Sequence, residues 1–222
     1  MFFGIEFSCQ VSSGINMINC LEIKLMQLSF ELTSHPLLLK NYYRIRESCF
    51  RKDLGLVEFN GGEDIFDRNG LTLVIKDGHH CVGGLRLTGN KEHGPGFLPV
   101  EQGGFSLKAS CHELLAGDVN YCQWSRLVIA PEYRNKVDLV MLVDKMIGIA
   151  GSLGYSYAFF VSGKTQARFY KRYHNKVGYS YDVLDDIQLP VEPGFEGLPH
   201  VIAVSRVDQP MAYENVSSGQ VA

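Results

Sequence analysis

YCQWSRLVIAPEYRNKVDLVMLVDKMIGIAGSLGYSYAFFVSGKTQARFYKRY, residues 121–173, carries the alternation from which the architecture follows. Its first ten residues form an apolar run that reads as a strand stopped at Pro131, a residue with no backbone N–H to donate. After PEYRN, the stretch KVDLVMLVDKMIGIAGSLG sets Val140, Val143, Ile147 and Ala150 on one face at helical spacing, with Gly151 and Gly154 ending the helix. YAFFV then reads as a short buried strand and TQARFYKRY as a short helix.

Toward the N-terminus, a helix is expected from about Leu107 to Leu115, and residues 89–104, rich in Gly and Pro, form a loop. LTLVIKDGHHCVGGLRL is a β-hairpin turning near Asp77-Gly78, a dipeptide that accepts the positive φ of tight turns. Residues 53–70 are a Gly-rich acidic loop. Before it, Ser34 is expected to cap a helix over Pro36–Arg51 with Leu38, Tyr42, Ile45 and Cys49 on one face, and a strand covers Ile23–Leu32. Toward the C-terminus, VGYSYDVL and HVIAVSRV complete the sheet. The expected organisation is an irregular leader over 1–20, one domain over 21–208 and a flexible polar tail over 209–222.

With 222 residues, a net charge of -3 and 45% hydrophobic residues, the chain suits one soluble domain with a real core. The charge balance argues against a nucleic-acid partner, and the spread of Lys and Arg against a polybasic membrane tether. No run of about 18 apolar residues occurs, so no membrane-spanning segment is expected. Cys9, Cys20, Cys49, Cys81, Cys111 and Cys122 lack CxxC or zinc-site spacing. They read as free thiols in a reducing, cytoplasmic setting, with no metal site. His79 and His80 fall at the hairpin turn as exposed residues.

The order strand, helix, hairpin, strand, long helix, strand, helix, strand resembles that of the GNAT acyltransferases, which implies an α/β fold with a central mixed twisted sheet flanked by helices. WSRLVIAPEYRN with the following helix resembles the central GNAT motif, and GYSYAFFVSGKTQARFYKRYHNKVGY the second. RESCFRKDLGL, GGEDIFD, VGGLRL and QWSR resemble, in order and spacing, the landmarks of acyl-homoserine-lactone synthases and N-acyl amino acid synthases. The resemblance spans roughly residues 40 to 180. It implies an N-acyltransferase that moves a fatty acyl group directly to an amino-acid-like amine, without a covalent enzyme intermediate. The donor is an acyl thioester of acyl carrier protein or coenzyme A. Other readings are a homoserine-lactone synthase, an acetyl-CoA-dependent acetyltransferase, or an acyl-binding module without turnover.

Such a reaction needs the amine and thioester held together, a proton removed from the amine, and an oxyanion stabilised. The strand before Pro131 can offer backbone amides to the donor, with Trp124, Leu127, Val128 and Ile129 lining the acyl side. Arg134 and Asn135, expected at the start of the next helix, sit where free amides favour a phosphate; the alternative is an ordinary helix start with an exposed arginine. The segment 134–139 contains no glycine, so it is poorly shaped to wrap a diphosphate. This favours a carrier-protein donor, whose arm has a single phosphodiester.

Arg46, Asp64, Asp67, Arg86 and Arg126 match the family's charged cluster. An amino-acid-like acceptor needs partners for an ammonium and a carboxylate, which this set contains; the same set can equally be a salt-bridge network ordering loop 53–70. The resemblance assigns the catalytic positions to Gln123, Ser125 and Tyr170. The family's usual acid, two residues before the Ser-Arg pair, is here Gln123, which cannot take a proton but can hold a water, and the family's Trp is replaced by Leu56. Both changes count against homoserine-lactone synthesis. Tyr170 stands where many GNAT enzymes keep a tyrosine that protonates the leaving thiolate; the alternative is a helix aromatic packed on the sheet. Trp124 and the pair Phe159-Phe160 read first as core.

Overall fold

A computed structural model describes residues 28–90, 96–191 and 194–211. The expected leader, most of the tail and the first residues of the N-terminal strand lie outside the described residues. Among the described residues seven strands form one sheet: β1 (Leu28–Thr33), β2 (Leu71–Asp77), β3 (His80–Gly89), β4 (Tyr121–Ile129), β5 (Tyr157–Ser162), β6 (Asp182–Val183) and β7 (Val201–Arg206). The spatial order is β1-β2-β3-β4-β5-β7-β6. All neighbours run antiparallel except β4 and β5, which pair in parallel from Tyr121↔Tyr157 to Trp124↔Phe160. The mixed sheet expected from the motif order is the one observed.

Among the described residues five α-helices cover the two faces: α1 (Pro36–Asp53), α2 (Ile65–Arg68), α3 (Leu107–Ser110), α4 (Leu139–Ser152) and α5 (Lys164–Lys176). On one face, Leu142, Val143, Met146 and Ile147 of α4 and Ala167 and Tyr170 of α5 pack against Leu85, Cys122, Trp124 and Phe160. On the other, α1 sets Tyr42, Cys49 and Phe50 against Val74 and Val128, and the segment from Leu98 to Leu115 covers Tyr121 and Phe159. Each fully buried large apolar side chain contributes about 1.5–3 kcal/mol, so these faces fix which way each strand residue points. The hairpin turns at Gly78 with φ 58, as Asp77-Gly78 predicts.

Several local expectations need correction. Ser34 does not cap α1: His35 is the N-cap, its own N–H donates to Thr33 Oγ1, and Pro36 at the first turn removes one donor that a cap would serve. Loop 53–70 contains α2, held by a reciprocal cap in which Asp64 accepts from the Phe66 and Asp67 amides and Asp67 accepts from the Asp64 amide. The helix expected over Leu107–Leu115 ends at Ser110, and VGYSYDVL yields only the two-residue β6. Gly151 lies within α4, which ends at Ser152; Gly154, at φ 79, is the glycine that turns the chain away.

Candidate functional site

The site starts from two irregularities in β4. The first is a bulge. Gly84 pairs with Val128 and Arg86 with Ser125, so Leu85 faces both Arg126 and Leu127. Arg126 adopts φ 60, a left-handed conformation unusual for a residue with a side chain, and its carbonyl accepts from the Tyr42 hydroxyl at 2.9 Å. A one-residue insertion swaps the faces of everything beyond it. Gln123 and Ser125 therefore share a face with Val128, whereas Trp124 lies opposite, in the core beneath α4 and α5.

The second irregularity is a split. β4 continues to Ile129, but its last parallel pair with β5 is Trp124↔Phe160. Beyond that point the β5-facing edge of β4 has no strand partner among the described residues, and a cleft of about 130 Å³ opens between the strands. Gln123, Trp124, Ser125, Arg126, Leu127, Arg86 and Tyr170 all line it. Half of the residues singled out from sequence thus converge on one opening.

Arg46, Asp64 and Asp67 stand behind that wall. Arg46, 1% exposed, forms a bidentate pair with Asp67 at 2.8 and 3.0 Å, and donates to the carbonyls of Gly61 and Gly62. Arg86, fully buried, donates through Nη1 to both oxygens of Asp64 (2.6 and 2.8 Å) and to Asp67 (3.2 Å), and through Nε to Ser125 Oγ (3.2 Å). Its Nη2 is buried without a hydrogen-bond partner among the described residues. Burial would raise the Asp64 carboxyl, but Arg86 outweighs it and holds the group below the ordinary carboxylate range. Gly61 lets the loop lie on α1: a Cβ there would come within 2.3 Å of Glu47 Cβ and 2.6 Å of its backbone nitrogen. The network and the cleft are therefore continuous, through Arg86.

Arg126 extends its guanidinium among the rings of Phe50, Phe59 and Phe195, at 5.5, 5.4 and 4.8 Å from their centroids. Gln123, 4% exposed, spends its Oε1 on the Val100 amide at 2.9 Å, anchoring the strap that carries Pro99 into the cleft wall. The Gln123 oxygen keeps a second lone pair, so this bond leaves both its oxygen and its amide nitrogen able to meet a water. Tyr170 packs on Phe160, His174 and Tyr181, and burial pushes its phenol above the usual range.

The donor-side expectations fare unevenly. Trp124 and Leu127 line the cleft; Val128 and Ile129 lie past the bulge, Val128 in the core beneath α1. Arg134 and Asn135 are not at a helix N-terminus. They sit in an exposed turn, with α4 starting only at Leu139. Arg134 pairs with Asp53 and donates to the Ile129 carbonyl. The second and third amides of α4, Val140 and Met141, donate to Asp138 at 2.9 and 3.1 Å, so the protein's own carboxylate caps this helix start. Sequence reasoning passed over Phe50, Pro99, Ser162, Gln166, Phe195 and His200, which complete the walls. Ser162 was legible, lying two residues beyond Phe160 on the same strand face; Phe195 and His200 belong to aperiodic chain.

Among the described residues no helix is long and apolar enough to cross a membrane. No curated protein matches the chain. Its fold is that of solved acyltransferases. FeeM, an N-acyl amino acid synthase from uncultured soil microbes, superposes with a TM-score of 0.58 at 13% identity, over 82% of this chain and 92% of FeeM. A Lactobacillus plantarum protein assigned as an N-acetyltransferase gives 0.54 at 16% identity, over 81% and 98%. The AHL synthase LasI gives 0.53 at 13% identity, over 84% and 93%. The family model of the N-acyl amino acid synthase FeeM matches residues 41–178, from α1 through the cleft to the end of α5. That span is more than half of the sequence and contains the split, the bulge and the charged network, and on it the chain belongs to the FeeM family of N-acyl amino acid synthases and is an N-acyltransferase of the GNAT fold.

Proposed function

We propose that residues 21–208 act as one cytoplasmic acyltransferase domain that moves a fatty acyl group from an acyl carrier protein to the amine of an amino acid. The observation that carries this reading is the cleft itself, which passes through the sheet where β4 and β5 part. On the α1 side, Arg86 presents a buried, unpartnered Nη2 in the cleft wall, the donor an acceptor carboxylate needs. On the other side α5 flanks the opening through Gln166 and Tyr170. Lys164, Arg168, Lys171, Arg172 and Lys176 are exposed on this helix, and it contains no acidic residue. Such a face suits an acidic carrier domain whose flexible arm enters the split.

In this scheme the thioester lies along the unpaired edge of β4. The amine loses its proton to water held near Gln123 and Ser125 and attacks the carbonyl carbon. The oxyanion is met by β4 backbone amides, the tetrahedral adduct collapses, and the thiolate leaves with a proton from Tyr170. Arg126, held by its aromatic rings, and Arg86 orient the acceptor. Asp64, Asp67 and Arg46 hold Arg86 in place.

The test is a product assay by mass spectrometry with matched acyl carrier protein and coenzyme A thioesters against a panel of amino acids. The expected product is an N-acyl amino acid, with the higher kcat/KM for the carrier. R168E together with K171E should raise KM for the carrier thioester and leave the coenzyme A thioester unaffected. A kcat/KM for coenzyme A equal to or above the carrier's refutes the donor assignment; an acyl-homoserine lactone as the product refutes the acceptor assignment.

A further inference from the structure

Buried polar groups in folded proteins are nearly always hydrogen-bonded, and each exception asks for a reason. Four of this protein's orphans stand in one layer around Phe160: Trp124 Nε1 across the β4–β5 pair, Ser162 Oγ two residues along β5, and Tyr181 OH and His174 Nε2 against the ring. Tyr170 belongs to the same layer. Its ring lies 5.2 Å from that of Phe160 and stacks on Tyr181 at 6.0 Å with an interplanar angle of 20°. Ser162 and Tyr170 both line the cleft. The Tyr181 hydroxyl stands near that of Ser162 without making a hydrogen bond to it. Ser162 and Tyr170 thus share one wall, with the Tyr181 ring stacked on that of Tyr170, and the hydroxyls of Ser162 and Tyr181 have no hydrogen-bond partner among the described residues. His174 does not compete for them as a donor: its Nδ1 lies 2.8 Å from the Tyr170 carbonyl, which can only accept, so the proton is on Nδ1 and Nε2 is a bare acceptor.

We infer that Ser162 and Tyr181 are positioning residues for Tyr170, two hydroxyls that donate to the phenolate left when the departing thiolate takes the Tyr170 proton. The inference rests on the reading of Tyr170 as the acid. Its chemical need is plain. An ordinary thiol has a pKa of about 8.5 and a phenol about 10, so transfer from phenol to thiolate runs uphill even in water. A buried phenol without donors is a weaker acid still. Two hydroxyls that turn toward the phenolate as it forms lower that cost without binding the neutral ground state. The proton count closes: Tyr170 gives its proton to sulfur, the Ser162 and Tyr181 protons stay on their oxygens, and Tyr170 is reprotonated after the thiol leaves, by the proton the amine released to water.

Ser162→Ala and Tyr181→Phe each delete one orphan hydroxyl and little else, so each should fold with an unchanged or higher Tm. Hydrogen bonds to a charged group are worth enough that each variant should lose about 10- to 100-fold in kcat with an alkyl thioester donor, with acceptor KM unchanged. With an aryl thioester of the same acyl chain, whose thiolate leaves without a proton, both should return to within a few-fold of wild type. Tyr170→Phe is the reference and should show the same rescue. If Tyr170→Phe is impaired and rescued while Ser162→Ala and Tyr181→Phe keep wild-type kcat, this inference is wrong and the Tyr170 reading stands. If Tyr170→Phe shows no sensitivity to the leaving thiol, the Tyr170 reading itself fails. A lowered Tm with equal losses on both donors would make the hydroxyls structural and overturn the proposal.

Discussion

Replacing Arg46 and Arg86 one at a time separates framework from substrate contact. Arg46 and Asp67 have side chains 1% and 0% exposed, and Arg46 also satisfies the Gly61 and Gly62 carbonyls. Arg46→Ala leaves the buried Asp67 carboxylate with the Asp64 amide at 3.0 Å and the longer Arg86 contact of 3.2 Å, one cation short, and two carbonyls unserved. Breaking a buried pair costs about 3–5 kcal/mol. At about 2–4 °C per kcal/mol for a chain of this size, Tm should fall by roughly 6–20 °C. Arg86→Ala is milder. Asp67 keeps its Arg46 fork, and Asp64, whose side chain is 38% exposed, can rehydrate. A discounted loss of about 1–3 kcal/mol follows. Its larger effect should be kinetic: acceptor KM rises at least tenfold, and acceptors lacking a carboxylate are little affected. Thermal melts beside initial-rate kinetics read both quantities. A larger Tm loss for Arg86→Ala than for Arg46→Ala, or a normal acceptor KM in folded Arg86→Ala, would refute the division of labour.

Burial pushes the His174 imidazole down to about 4, the Tyr170 carbonyl opposing this more weakly. The folded state therefore refuses a proton that the unfolded chain takes at about 6.5. Stability should be full above about pH 6.5 and decline as pH falls toward 4; His174→Phe should flatten that slope in urea titrations, and an unaltered slope would assign it elsewhere. Gly61→Ala places a Cβ against the α1 backbone and should cost about 1–3 kcal/mol, with acceptor KM raised because Asp64 and Asp67 move with the loop; a wild-type melt would show the loop free to shift. Gln123→Glu keeps the acceptor for the Val100 amide and should retain or raise kcat, with a new acid limb near a carboxylate pKa raised by burial. A loss beyond tenfold at unchanged Tm would mean the Gln123 amide N–H groups are what the reaction uses.

Much of this was legible in order and periodicity. Helix α4 reveals itself by Val143, Ile147 and Ala150 at helical spacing, and the hairpin by Asp77-Gly78, because each depends on neighbours within a turn or two of chain. The motif order likewise brought Gln123, Ser125, Arg86 and Tyr170 forward together, and they line one cleft. What local chemistry cannot express is where pairing stops. Nothing in YCQWSRLVIA says that β5 leaves it after Trp124, since a ladder's end depends on both strands and on what packs between them. Nor does the sequence show that Asp138 outcompetes Arg134 and Asn135 for the start of α4, a contest settled by where the helix begins. The orphan hydroxyls of Ser162 and Tyr181 are furthest from view. An unsatisfied group is defined by every other group that failed to reach it, and only the assembled core, with Phe160 at its centre, determines that.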